Sequence, residues 1–391
     1  MIFRFISSFI ALTALIFLLQ SCSEECGIPV IHIHEDGLDW GEKKPAEVTY
    51  SACDQAETYA ATARFRGGTS RGYPKKSFTV KIPEPRAWGG MEADQNWILN
   101  ANYIDKTFMR HKLSYDLFRS MSSGNLAPQS EYVEVYHNDQ YAGLYVLMER
   151  LDENRLNVDT HDQQAFVFKQ PPTFYDSTFH WNRDSMYHVS QKFPKAEQED
   201  RSQFLRRLQW LVKHSNDSLF AAEVFQMLNR DNLIDWQLML IFANNSDGQH
   251  KNYFIYRTDS LTPARIALWD CDHGLGRDGD YEYNMLTRLV DPARMTLFRR
   301  LMQLNPDNYN QRIADRWSEL RQGVLSAAAL EKMISSYQKQ ILPYIERNAQ
   351  AWPIDGPGYH DDNNFEQELE IIRAFIGLQL PRLDAYFGNN P

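Results

Sequence analysis

Apolar and polar positions alternate through much of the first third of the chain, the mark of strands half-buried on a core. "IPVIHI" at 28–33 is one strand candidate and 49–65 holds more extended material. Phe78, Val80 and Ile82 then alternate with Ser77, Thr79 and Lys81, after turns marked by Gly67-Gly68 and Gly72-Tyr73-Pro74. Runs at 132–136 and 141–148 flank Asn138-Asp139, a pair suited to a tight hairpin turn. In between, the period changes. Phe108, Met109, Lys112, Leu113, Asp116 and Leu117 fall near helical spacing, with Asp105 as an N-cap.

The second half is mainly helical. "QFLRRLQWLVKH" and "NLIDWQLMLIFANN" read as helices, and Asp291-Pro292 supplies a cap and first-turn proline for "ARMTLFRRLMQL". Ser326 caps a helix whose Leu330, Met333, Ile334, Tyr337 and Ile341 share one face. The last helix carries Phe365, Leu369, Ile372 and Ile376, and both stripes read as core packing. Residues 152–202 are polar and irregular, including the loop "KQPPTFYD" and an insertion near His180 with no assignable element.

The parity of the strand at 78–82 separates two lysines. A strand starting at Lys75 turns Lys76 inward with Phe78 and leaves Lys75 and Lys81 facing solvent. If Pro74 delays the strand, Lys76 instead snorkels at its end.

One helix-free interval interrupts the second half and carries the chemistry: "SDGQHKNYFIYRTDSLTPARIALWDCDHG" at 246–274. "NYFIYR" and "RIALWD" would pair as antiparallel strands folded about Leu261-Thr262, setting Asn252 or Tyr253 across from Asp270. Carboxylate and amide oxygens side by side suit magnesium, which keeps waters and substrate phosphates in its remaining positions. Asp247, five residues before Asn252, can reach the same cleft and face a substrate hydroxyl. An acid, four residues and an asparagine, followed by a hairpin ending in a second acid, is the order of a protein-kinase catalytic loop and metal-binding acid. Asp272 is either a second metal ligand or an acid that holds the first one in place. The plainer readings are a turn at Asp247, a loop brace at Asn252 and helix caps at Asp270 and Asp272. His250 and His273 lack the paired spacing of a structural zinc site.

Length and charge narrow the function. At 391 residues the chain can bury a large core in two or three units, and a net charge of −10 argues against general nucleic-acid binding. Arg4, an apolar run of about a dozen residues and Leu19-Gln20-Ser21-Cys22 look like a lipoprotein export signal too short to span a membrane. Residues 1–21 are expected to be removed and Cys22 lipidated, although Gln20 fits imperfectly and an ordinary signal peptide is the alternative. The acidic start after Cys22 resembles bacterial lipoproteins sent to the outer face of the outer membrane. Cys26 and Cys53 either pair in that oxidising setting or stay as buried thiols, and Cys271 reads as a small core side chain pointing away from its flanking aspartates.

Five separated segments resemble the spore-coat protein H (CotH) kinases, atypical protein-kinase-like proteins. They are "FRGGTSRGYPKKSFTVKI", "NWILNANYIDKTFMRHKLSYDLFRSM", "VEVYHNDQYAGLYVLMERLDENRL", "NSDGQHKNYFIY" and "LWDCDHGLG", and "RAFIGLQLPRLDAYF" is similar too. The resemblance implies an α+β, two-lobed kinase-like fold: an antiparallel-sheet N-lobe at 28–150, a helical C-lobe at 151–290 and a C-terminal helical part at 291–391, after a tether at 22–27. ATP and Mg2+ (or Mn2+) would lie between the lobes. By resemblance, Asp247 is the catalytic acid and Asn252 and Asp270 are metal ligands, with Asp272 placed beside them in the metal site by its position two residues on. Lys76, Arg64 and Arg66 take the phosphates, and the segment of Met148 and Glu149 is the hinge that meets adenine through its backbone. Asp116, Glu134 and Glu149 are the candidate acidic partners of Lys76.

No G-x-G-x-x-G loop is present, so phosphate cover falls to "RGGTSR", and the usual His-Arg lead-in to the catalytic acid is missing. The implied activity is transfer of the ATP γ-phosphate to Ser or Thr of a secreted or surface protein by an enzyme tethered to the membrane through its lipid. A catalytically silent surface binding module and a metal-dependent hydrolase are the alternatives.

Overall fold

The computed structural model describes residues 26–171, 173–174, 189–277, 286, 293, 295–359 and 361–389. Cys22, the insertion near His180 and the Asp291-Pro292 cap lie outside them. Seven strands form a closed barrel in the order β1 (Val30–His34), β2 (Lys44–Ala52), β3 (Gln55–Arg66), β4 (Ser77–Arg86), β5 (Asp94–Asn100), β7 (Gln140–Glu149), β6 (Ser130–His137). The expected antiparallel N-terminal sheet is corrected in one respect. Its first strand pairs parallel with β6, Val30 opposite Glu134, and this contact closes the sheet. Closure leaves the barrel without a free edge.

Alternation decides what fills it. Ile31, Ile33, Phe78, Val80, Trp97 and Leu147 point into the barrel, where Trp88 stacks between Tyr50 and Trp97. The other face of β7, with Leu144, Val146 and Met148, joins the helical core, which explains the unbroken apolar run "GLYVLM". Asn138 and Asp139 adopt φ of 48° and 63°, so the β6–β7 hairpin turns where the sequence predicts. Cys26 is disulfide-bonded to Cys53 at the tip of the β2–β3 hairpin, with Cα atoms 5.3 Å apart.

Helix α1 (Arg110–Met121) starts five residues after its expected cap. Asp105 still organises that start: Oδ1 accepts from the Thr107 hydroxyl and the Arg110 guanidinium, and Oδ2 accepts from the Arg110 amide at 2.9 Å. The delay reflects a turn closed by the Phe108 amide on the Asp105 carbonyl, with Phe108 at φ 60°. A second, four-stranded sheet runs β11 (Arg265–Leu268), β10 (Tyr253–Arg257), β8 (Phe166–Lys169), β9 (Gln191–Phe193). Around it lie α2 (Ser202–His214), α3 (Asp217–Met227), α4 (Arg230–Ala243), the short α5 (Ser246–His250), α6 (Thr296–Leu304) and α7 (Tyr309–Gln322).

Two long helices finish the chain, α8 (Ala327–Ala351), capped by Ser326 as expected, and α9 (Phe365–Asn389). The expected stripes are buried: Leu330, Ile334, Tyr337 and Ile341 on α8, and Phe365, Leu369, Ile372 and Ile376 on α9. Helix α8 rests on β7, where Arg347 lies over the rings of Tyr136 and Tyr141. Among the described residues, no helix is long and apolar enough to cross a membrane.

Candidate active site

A cavity of about 780 Å³ lies between the barrel and the second sheet. Its floor comes from the predicted hairpin, which turns at the exposed Leu261. Tyr253 stands opposite Leu268, so the ladder ends before Asp270, and the expected pairing of Asn252 or Tyr253 with Asp270 is not part of it. Asp270 instead takes φ 58°, a left-handed conformation that aspartate tolerates better than most residues. That kink ends the strand period, yet both Asp270 and Asp272 line the cavity. Cys271 between them is buried in the helical core, as expected.

Asn252 joins the pieces. Its buried amide nitrogen donates to Asp247 Oδ2 at 2.8 Å and to the Asp270 carbonyl at 3.1 Å, so residues 247, 252 and 270 meet in one place. The amide oxygen accepts from Gln170 Nε2 at 2.9 Å. Flipping the amide would turn that oxygen toward a carboxylate, so the orientation is fixed by its acceptors. Asn252 thus braces Asp247 against the Asp270 backbone, with its oxygen, expected on the metal, facing Gln170. Asp247 also faces Lys251 Nζ at 3.4 Å.

The donor cluster that could hold a cation is His111, Asp270 and Asp272, whose ligand atoms all lie within 4.8 Å of one another. His111 Nε2 is 3.2 Å from Asp270 Oδ1. Burial would raise the Asp270 carboxyl, but the His111 hydrogen bond and the charges of His111, Lys169 and Arg66 outweigh it and hold it well below the usual carboxylate range. Asp272 is pushed upward, by burial first and then by the charge of Asp270. Two close carboxylates with environments that split them suit a divalent cation, which would hold both ionised.

The opposite wall is cationic. Arg64 and Arg66 line the cavity, with Gly67 and Gly68 of the glycine loop beside them. The lysine assignment is corrected. Strand β4 begins at Ser77, its even positions fill the barrel, and its odd positions face the cavity. Lys75 is therefore on the cavity side, buried, with Nζ bonded to the Leu144 carbonyl and Asn348 Oδ1. Lys76 is turned away, its ammonium held by the carbonyls of Arg71 and Tyr73 over the Trp40 ring. Its three candidate acids have other partners: Asp116 with Lys112 and Arg119, Glu134 with Arg347, Glu149 with Arg155. Lys169 of β8 also lines the cavity, its ammonium 4.4 Å from the Trp269 ring centre. Burial, then the neighbouring Arg66, pushes its ammonium down to about 8.

The hinge expectation is also corrected. β7 is flanked on both sides: Met148 pairs with Ile98 and Ser130, and the Glu149 amide donates to the Gln129 carbonyl. Neither Met148 nor Glu149 lines the cavity. Sequence reasoning missed His111, Lys75 and Lys169. His111 directly follows Arg110 near the start of α1, far in sequence from the acids it meets, and only the register of β4 separates Lys75 from Lys76.

The family model for the CotH kinase protein matches residues 63–380, and the chain belongs to the CotH kinase family, which makes it a kinase-like protein. It is 23% identical over 314 residues to the inner spore coat protein H of Bacillus subtilis (strain 168), covering 80% of this chain and 83% of that protein. Among solved structures it is similar to the Helicobacter pylori proinflammatory kinase, at 10% identity and a TM-score of 0.28 over 80% of this chain and 94% of that one. It is also similar to the Golgi casein kinase with Mn/ADP bound, at 11% identity and a TM-score of 0.30 over 92% and 73%.

Proposed function

We propose that the chain is an exported protein kinase, tethered through Cys22, that transfers the γ-phosphoryl group of ATP to a Ser or Thr hydroxyl of a secreted or surface protein. The observation that carries this reading is the hydrogen-bonded junction of Asp247, Asn252 and Asp270 facing a wall of arginines and lysines. Acids on one side and cations on the other match a polyphosphate bound with a divalent cation. Mg2+ or Mn2+ held by Asp270 and Asp272 would spread the charge that develops on the transferred group.

Asp247 orients the acceptor hydroxyl and takes its proton as the new O–P bond forms. The bond between the γ-phosphorus and the bridging oxygen breaks, and ADP leaves. Asn252 keeps Asp247 in register with the metal acids, while Arg64, Arg66 and Lys169 neutralise the phosphates. The Cys26–Cys53 disulfide supports a location outside the reducing cytoplasm, and the lipobox-like tetrad supports the lipid tether.

The test gives protein from Ser23 onward radiolabelled ATP with magnesium or manganese, beside Asp247→Asn and a chelator control. Label on protein, lost in Asp247→Asn while nucleotide binding persists, is the expected result. Equal transfer by both forms rejects the role of Asp247. Free phosphate alone indicates a hydrolase, and no thermal shift with nucleotide indicates a binding module.

A further inference from the structure

The imidazole in the acid cluster has a chemical consequence. Magnesium binds oxygen donors, keeps several waters and gains little from nitrogen, whereas imidazole favours first-row transition cations, whose affinities exceed those of magnesium on mixed N and O donors. His111 belongs to that donor set, because its ligand atom lies within 4.8 Å of those of Asp270 and Asp272. Its side chain is 5% exposed, so its contacts are set by the fold. It shares one nitrogen with Asp270. The other, Nδ1, is buried with no hydrogen-bond partner among the described residues.

The backbone fixes the ring where it stands. The neighbouring Arg110 is locked at the start of α1 by Asp105, and its Nε donates to the Gly274 carbonyl at 3.2 Å, just beyond Asp272. The histidine and the two acids are thus tied to one another through main chain as well as side chain. Arg66 and Lys169 line the same cavity and act on Asp270 through their charges, while His111 contacts it directly.

We propose that His111 is a direct ligand of the divalent cation and that the site therefore prefers a transition cation such as Mn2+ to Mg2+. This rests on the nucleotide–cation reading of the same cavity and adds the identity of the metal to it. An oxygen-only donor set would show a smaller preference and no nitrogen coupling.

The test measures cation binding rather than turnover. Mn2+ binding to protein from Ser23 onward with ADP is followed by electron paramagnetic resonance, and Mg2+ binding by calorimetry. The inference expects Mn2+ to bind at least about tenfold more tightly than Mg2+. In His111→Asn and His111→Gln, it expects Mn2+ affinity to fall by about tenfold or more while Mg2+ affinity changes less than about threefold. Electron spin-echo modulation of the wild-type Mn2+ complex is expected to show coupling to a coordinated imidazole nitrogen, which needs no variant to fold.

Absence of nitrogen coupling overturns the proposal, as does an equal loss of Mn2+ and Mg2+ affinity in the variants, which would make His111 only a positioning residue for Asp270. If phosphotransfer proceeds but no nitrogen coupling is found, the metal assignment fails and the kinase reading stands. Nitrogen-coupled Mn2+ without phosphotransfer supports the metal assignment and removes the kinase. Failure to bind either cation removes both.

Discussion

Glu368 of α9 offers a test of how the site is held, because it lies 17 residues past the end of α8 and yet supports α1. Its side chain is fully buried, with Oε2 3.3 Å from Arg110 and Oε1 against Arg277 and, at 3.0 Å, Asn363 Nδ2. Glu368→Ala deletes one member of a buried ionic cluster, a change that typically costs about 3–5 kcal/mol because it strands the partner charges. Here each arginine keeps a second acid, Asp105 for Arg110 at 2.7 Å and Asp361 for Arg277 at 2.7 Å. The lower end, about 3 kcal/mol, is therefore expected. With an unfolding entropy of about 2 cal/mol/K per residue, that lowers the melting temperature by roughly 4 °C. Urea unfolding followed by tryptophan fluorescence should show a lower midpoint at unchanged slope. Glu331→Ala, which breaks a half-exposed pair with Arg373, is the control and should cost no more than about 1 kcal/mol. Equal losses in the two variants would refute the claim that burial of the Arg110 cluster, rather than ion pairing in general, fixes the start of α1.

Two further outcomes are expected. Lys169 has its folded-state ammonium pushed down to about 8, below the unfolded value of about 10.4, so the unfolded chain binds the extra proton between those pH values and folding stability rises with pH across that window. Lys169→Met should flatten that rise and melt higher than wild type at pH 7, while ADP affinity falls about tenfold or more through loss of a charge-assisted phosphate contact; melts at pH 7 and 9.5 with ADP titrations check both. The Cys26–Cys53 bond closes a separation of 27 residues, which corresponds to about 3–4 kcal/mol of loop entropy, so Cys53→Ser should unfold at a correspondingly lower urea midpoint, and an unreduced peptide map of wild type lacking the linked pair would contradict the bond.

Most of the fold was legible where local chemistry agreed with the tertiary structure. Asn138-Asp139 demanded positive φ and obtained it at a hairpin tip, and Ser326 capped the helix it preceded. Barrel closure was not legible, because the parallel contact of β1 with β6 joins residues about a hundred positions apart and leaves no local mark on either strand. The onset of α1 was misplaced for a different reason: Asp105 has the side chain of an N-cap, but it spends that carboxylate on Thr107 and Arg110 across an intervening turn.

The site divides along the same line. Asp247, Asn252 and Asp270 were found because a short loop and a hairpin carry them, so spacing along the chain was a fair proxy for distance in space. The lysine was lost by one position. The expected parity holds, with Phe78, Val80 and Ile82 on one face and Lys75 on the other, but the inward face fills the barrel and the cavity lies on the face assigned to solvent. Read from the observed start at Ser77, parity puts Lys75, Ser77 and Thr79 toward the cavity and Phe78, Val80 and Ile82 into the barrel. The parity was therefore sound and the choice of face was wrong, whereas no rule of spacing would have brought His111 to Asp270 across 159 residues. That meeting depends on α1 packing beneath the end of β11, where Tyr115 accepts the Asp270 amide at 3.0 Å. A donor set assembled this way comes from tertiary packing, and no spacing along the sequence of α1 announces it.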